Sequence, residues 1–135
     1  DLKLESAVRF LGIVSDNDLV DLYNTCDVFV LPVQDLTKYG DVEGFGIAFA
    51  EASACGKPVI TGKSGGAIEA VQHGVTGLLV DPWNDNSLLD AITTLMADPP
   101  RAQAMGAAGR LFVVRELSWP NVAKRFDRAL ESLNL

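Results

Sequence analysis

Glu43 and Glu51 stand eight positions apart, and the chain between them changes from a glycine-rich loop to an apolar helix. The stretch reads Glu43-Gly44-Phe45-Gly46-Ile47-Ala48-Phe49-Ala50-Glu51 and continues to Cys55-Gly56-Lys57-Pro58. A carboxylate just ahead of a Gly-x-Gly turn reaches a ligand lying over the start of the next helix. The first-turn N–H groups of that helix lack intrahelical acceptors and carry partial positive charge, which suits a phosphate. Glu51 lies about one to two turns in and can accept from sugar hydroxyls of the same ligand. The pattern points to a ligand that carries both hydroxyls and phosphate.

These groups work only if a scaffold brings them to one edge, and the hydrophobic pattern describes that scaffold. Val8 to Leu11 has the composition of a short buried strand. Ser15 precedes Asp16-Asn17-Asp18 as a helix cap, and Leu19, Leu22, Tyr23 and Cys26 follow at helical spacing as the inward stripe. Val28-Phe29-Val30-Leu31 is a second strand, apolar enough to be buried on both faces, and Pro32 ends it. Gln34 to Val42 is polar, with a turn near Tyr39-Gly40-Asp41. The helix that starts near Gly46 closes at Gly56, where glycine supplies a left-handed cap before Pro58.

Pro58 to Thr61 and Gly77 to Val80 complete the strands, with a short helix from Gly65-Gly66 to about Gln72 between them. Beyond Asp81-Pro82 the pattern is helical. Leu88, Leu89, Ile92, Leu95 and Met96 form one stripe, and Val122, Phe126, Leu130 and Leu133 form another after Ser118 and Pro120. The stretch from Pro100 to Leu117 is also helical, weakened by Gly106 and Gly109. Strands alternating with helices imply crossovers and a parallel, doubly wound α/β sheet. Ligands of such sheets bind at the carboxyl ends of the strands. The segment Gly12-Ile13-Val14, the loop from Leu31 to Gly46 and the loop from Gly62 to Gly66 share that rim.

Composition narrows the field. At 135 residues, 48% of them hydrophobic, the chain has enough apolar material for a packed core. A net charge of −7 excludes nucleic acid as the main partner. No apolar run reaches the roughly 18–20 residues of a membrane span. Cys26 and Cys55 lack metal-ligand spacing, and two free thiols fit a reducing cytoplasm. The tail's basic residues, Arg110, Arg115, Lys124, Arg125 and Arg128, read first as a solvated face. They leave open a peripheral position at the inner membrane face. The N-terminus has no methionine and no features of a signal peptide, the expectation for a piece of a longer protein.

Five ordered blocks resemble the retaining glycosyltransferases of the GT-B fold known as glycosyltransferase family 4. They are Val8 to Gly12, Leu22 to Pro32, the Glu43-x7-Glu51 motif, Gly65 to Val71 and Gly74 to Val80. The resemblance covers about residues 8–83, and the helical tail of about 84–135 fits the same family. It implies that residues 1–135 form part of one donor-binding domain, a partial Rossmann-like sheet with a helical C-terminal tail. It implies a parent enzyme that moves a hexosyl group from a UDP-, GDP- or ADP-sugar to a sugar or lipid acceptor, with retention and without a metal.

Carried over by motif, Glu43 faces the transferred sugar as the catalytic carboxylate, and Glu51 holds the ribose hydroxyls. A carboxylate suits a vicinal diol because its two oxygens accept from both hydroxyls. Gly44, Phe45 and Gly46 present backbone N–H groups to sugar and phosphate, glycine allowing the close approach. Gly12, Ile13 and Val14 resemble the base-binding edge, or are simply a strand end. Ile47 packs against the nucleotide, or into the core. Ser64-Gly65-Gly66 reads as a packing turn beside the site, and His73 as a surface residue at a helix end.

The resemblance also implies what lies outside this chain: the opening strands that carry a diphosphate-binding arginine and lysine, and the whole acceptor-binding first domain. Lys57 and Lys63 do not match that basic pair. The chain alone is therefore expected to be inactive, and its truncated sheet edge is a place for self-association. A non-catalytic nucleotide-sugar binding module that works with a partner chain is the alternative. A dinucleotide oxidoreductase is disfavoured, because no Gly-x-Gly-x-x-Gly follows a first strand.

Overall fold

The computed structural model describes residues 3–34 and 44–133. Three parallel strands, β1 (Phe29–Leu31), β2 (Val59–Gly62) and β3 (Gly77–Val80), lie in the order β1-β2-β3. Phe29 sits opposite Val59, which in turn sits opposite Gly77. The intervening helices are α1 (Asp16–Thr25), α2 (Ile47–Ala54) and α3 (Ala67–Ala70). Then follow α4 (Asp85–Ala97), α5 (Pro99–Phe112), a π-helical turn (Val113–Leu117) and α6 (Trp119–Ser132).

Adjacent residues of β2 feed opposite cores, as expected of a central strand covered on both faces. Val59 joins Tyr23, Phe49, Ala52, Ala67, Ala70 and Val71 on the side of α1, α2 and α3. Ile60 joins Leu78, Val80, Ala91, Leu95, Ala102 and Met105 on the side of α4 and α5. Local signals set the helix ends. The Ser15 hydroxyl accepts from the Asp18 N–H and donates to its carboxylate. Asn84 caps α4 and Asp98 caps α5. Helix α2 closes in a Schellman turn: Lys57 N–H donates to Ala52 O, Gly56 N–H donates to Ser53 O, and Gly56 adopts φ +72°.

One expectation is corrected. Residues 8–11 form no strand; Phe10 is 94% exposed and the run lies outside both cores. An apolar run becomes a strand only against a neighbour that completes its ladder, and among the described residues none pairs with it. β1 accordingly has β2 as its only described neighbour, and it is only partly buried. Gly106 and Gly109 cost α5 helix propensity but also let it dock. A Cβ on Gly106 would strike the Gly56 carbonyl oxygen, and one on Gly109 would press on the Ser53 side chain. The small residues are where α5 meets α2. The stripe of α6 faces largely outward: Phe126, Leu130 and Leu133 are exposed and Val122 is half-buried.

Candidate functional site

The α2 helix starts on Gly46, whose φ of 77° and ψ of 53° are left-handed. Glycine is required here twice over, because a Cβ would also run into the Phe49 ring. Phe49 is fully buried, so the turn sits directly on the core. Ile47, one residue on, is 67% exposed. It is therefore not a core residue of the described fold.

Glu51 is exposed, and its carboxylate is held from behind. The Tyr23 hydroxyl donates to Glu51 Oε2 at 3.1 Å. An edge-to-face aromatic chain fixes that phenol: Tyr23 lies 5.5 Å from Phe29, and Phe29 lies 6.2 Å from Phe49, between ring centroids. Tyr23 thus aims one carboxylate oxygen and leaves the other, with the remaining lone pairs, for hydroxyl donors. Sequence reasoning placed Tyr23 in the inward stripe of α1 but missed this role. The signal was present: a phenol on an otherwise Leu/Cys stripe needs a buried partner for its hydroxyl.

Burial, followed by the hydrogen bond and proximity to the Glu51 carboxylate, pushes the Tyr23 hydroxyl up to about 12. The folded chain holds this proton above the ordinary phenol value near 10, so the unfolded chain loses it first. Stability is therefore expected to fall as pH rises from about 10 to 12. A tyrosinate absorbance titration checks this. Glu51→Gln is expected to move the Tyr23 transition only part of the way back, since burial is the larger cause.

The remaining predicted residues divide. Gly44 lies against the start of α3, where a Cβ on Gly66 would strike the Gly44 carbonyl oxygen. Ser64-Gly65-Gly66 is thus the packing turn that seats the Gly44–Gly46 entry. Gly66→Ala is expected to cost about 1–3 kcal/mol by overpacking, read from urea midpoints. Phe45 is partly exposed and lines a cleft with Glu69, Gln72, Phe112, Arg115 and Arg125. Gly12 (φ +65°) and the fully exposed Ile13 follow the unpaired 8–11 run. The hollow that Val14 touches is lined by Arg9, Leu11 and α1 residues and does not include Glu51. Glu43 lies outside the described residues. His73 is exposed, and its Nδ1 accepts from the Leu79 N–H at 2.9 Å, which ties the loop after α3 to β3. Among the described residues no cluster of His, Cys, Asp and Glu could hold a metal.

Known proteins share this fold. The family model "Glycosyl transferases group 1" matches residues 1–112. A GDP-mannose-dependent alpha-(1-6)-phosphatidylinositol monomannoside mannosyltransferase of Mycobacterium tuberculosis is 44% identical over 125 residues, 93% of this chain and 32% of that protein. A D-inositol 3-phosphate glycosyltransferase of Corynebacterium urealyticum is 34% identical over 133 residues, 98% of this chain and 30% of that protein. Among solved structures, sucrose-phosphate synthase of Thermosynechococcus elongatus superposes with a TM-score of 0.83 at 34% identity, over 96% of this chain and 31% of that one. HepE of Anabaena, solved with UDP-glucose, gives 0.80 at 29% identity, over 96% and 33%. The chain therefore spans about a third of each of these relatives.

Proposed function

Because this chain belongs to the glycosyl transferases group 1 family, we propose that it is part of the donor-binding domain of a retaining hexosyltransferase. On this reading the strands and crossover helices of about 8–83 and the tail of about 84–135 belong to that one domain. The observation that supports it best is the Glu51 carboxylate, exposed beside the left-handed Gly46 entry and oriented by Tyr23. A ribose diol donating to Glu51 lies beside the first N–H groups of α2, which face the diphosphate. Gly44, Phe45 and Gly46 line the sugar-phosphate path, Ile47 packs on the nucleoside, and Gly12-Ile13-Val14 meets the base. Glu43 contacts the sugar being transferred. GDP-mannose is the first donor to test, since it stands in the names of relatives 41–44% identical to this chain.

The chain alone binds without transferring. Preorganised positive charge on a leaving diphosphate is a large part of catalysis. Lys57, which does not match the family's diphosphate-binding pair, donates to the Asn24 carbonyl at 2.9 Å, beyond the far end of α2. The test is a ligand-observed NMR titration of this chain with GDP, UDP and ADP. One diphosphate is expected to bind and thereby name the donor base. A folded chain that binds none of the three overturns the donor-binding reading. Turnover of GDP-mannose by the isolated chain, measured with an acceptor such as myo-inositol, would overturn its predicted inactivity.

A further inference from the structure

A second cleft opens where β2 and β3 end, and its lining includes neither Glu51 nor the Gly44–Gly46 turn. Its volume is about 540 Å³, and Lys63, Ser64, Ile68, Asp81, Pro82 and Trp83 line it. That size is within the usual range for small-molecule clefts, about 300–1,000 Å³. Trp83 is 67% exposed, although its turn is tightly built. Asp81 Oδ1 accepts from the Trp83 N–H at 3.0 Å, and Ser87 Oγ accepts from the Asp81 N–H at 3.2 Å. Gln34 Nε2, from the exit of β1, donates to the Pro82 carbonyl at 2.9 Å. Lys63 N–H donates to the Val80 carbonyl at 2.8 Å. The indole is thus carried on a fixed turn yet contributes little to the core, and this leaves a flat apolar face in water beside polar groups.

We propose that this cleft is a carbohydrate subsite distinct from Glu51, which takes a hydroxylated six-membered ring stacked on Trp83. The apolar C–H face of such a ring matches an indole face, and its rim of hydroxyls matches the groups around it. The Lys63 ammonium makes no hydrogen bond or ion pair among the described residues and is a donor to ring oxygens. The second oxygen of the Asp81 carboxylate accepts from a hydroxyl. The proposal is of ring binding alone and does not rest on the transferase reading. A pyranose and a cyclitol offer the same chemistry, so both are probes.

The chain holds two tryptophans, Trp83 and Trp119, so 5-fluorotryptophan labelling gives two ¹⁹F resonances, assigned with Trp119→Phe. Methyl α-D-mannopyranoside and myo-inositol are titrated, with glycerol as the hydroxylated compound that has no ring. The Trp83 resonance is expected to move saturably with one or both rings while Trp119 stays still. Movement with the mannoside alone identifies a pyranose, and with inositol alone a cyclitol. Lys63→Ala is expected to weaken binding about threefold or more, and Glu51→Ala is expected to leave it unchanged. A Trp83 resonance that ignores both rings, or responds as it does to glycerol, overturns the proposal. Nucleotide binding lost in Glu51→Ala with the Trp83 response intact separates this subsite from the donor site.

Discussion

Glu51→Ala is expected to lower affinity for the nucleoside diphosphate about a hundredfold, equivalent to about 3 kcal/mol. Two charge-assisted hydrogen bonds from a ribose diol account for a loss of that size. Fold stability should change little, because Glu51 is exposed and its one described side-chain partner is Tyr23. Tyr23→Phe separates holding the ligand from aiming the carboxylate. It keeps both acceptor oxygens and loses only the donor that orients them, so affinity should fall by less than tenfold. Parallel NMR titrations of the chain and the two variants, with thermal melts as a folding control, decide the matter. Equal losses in both variants would overturn this division, since removing the orienting hydroxyl would then cost as much as removing the carboxylate.

Phe49→Ala is expected to destabilise the fold by about 3–5 kcal/mol, a large part of the 5–15 kcal/mol typical of a whole domain. Phe49 is fully buried and packs edge-to-face on Phe29, which in turn packs on Tyr23. Its ring also lies under Gly46. The truncation therefore empties the core at the point where the helix entry and the aromatic chain meet. Urea unfolding followed by circular dichroism gives the loss directly. Phe49→Leu restores apolar volume and should recover a good part of it. The conservative variant is also expected to lose ligand affinity before it loses helix, since leucine cannot hold the Phe29 ring, and through it Tyr23, by an aromatic edge. Unchanged affinity in a folded Phe49→Leu chain would show that this aromatic support does not reach the site.

The two variants separate what could be read along the chain from what could not. Helix limits were legible because they depend on neighbours within four residues. The Ser15 cap, the Gly56 Schellman turn and the Gly46 entry each stand where local hydrogen bonding and φ preference put them. The strands at Phe29–Leu31, Val59–Gly62 and Gly77–Val80 were legible from apolar runs between turn residues. The Glu51 motif was legible from its spacing. Residues 8–11 carried the same apolar signal as the true strands and failed, because a strand is decided by its partner and not by its own composition.

The sequence by itself determined the α/β class, the parallel order of crossovers and the stretch that carries the candidate site, since all three follow from local periodicity and turn chemistry. Tertiary structure alone decided the rest. It brought Tyr23 to Glu51 across 28 residues, seated Gly66 on Gly44 and Gly106 on Gly56, and turned Ile47 and Trp83 outward. Those outcomes depend on which surfaces meet when the helices pack. Contact between residues distant in the chain is set by close packing over the whole fold, which no local window contains.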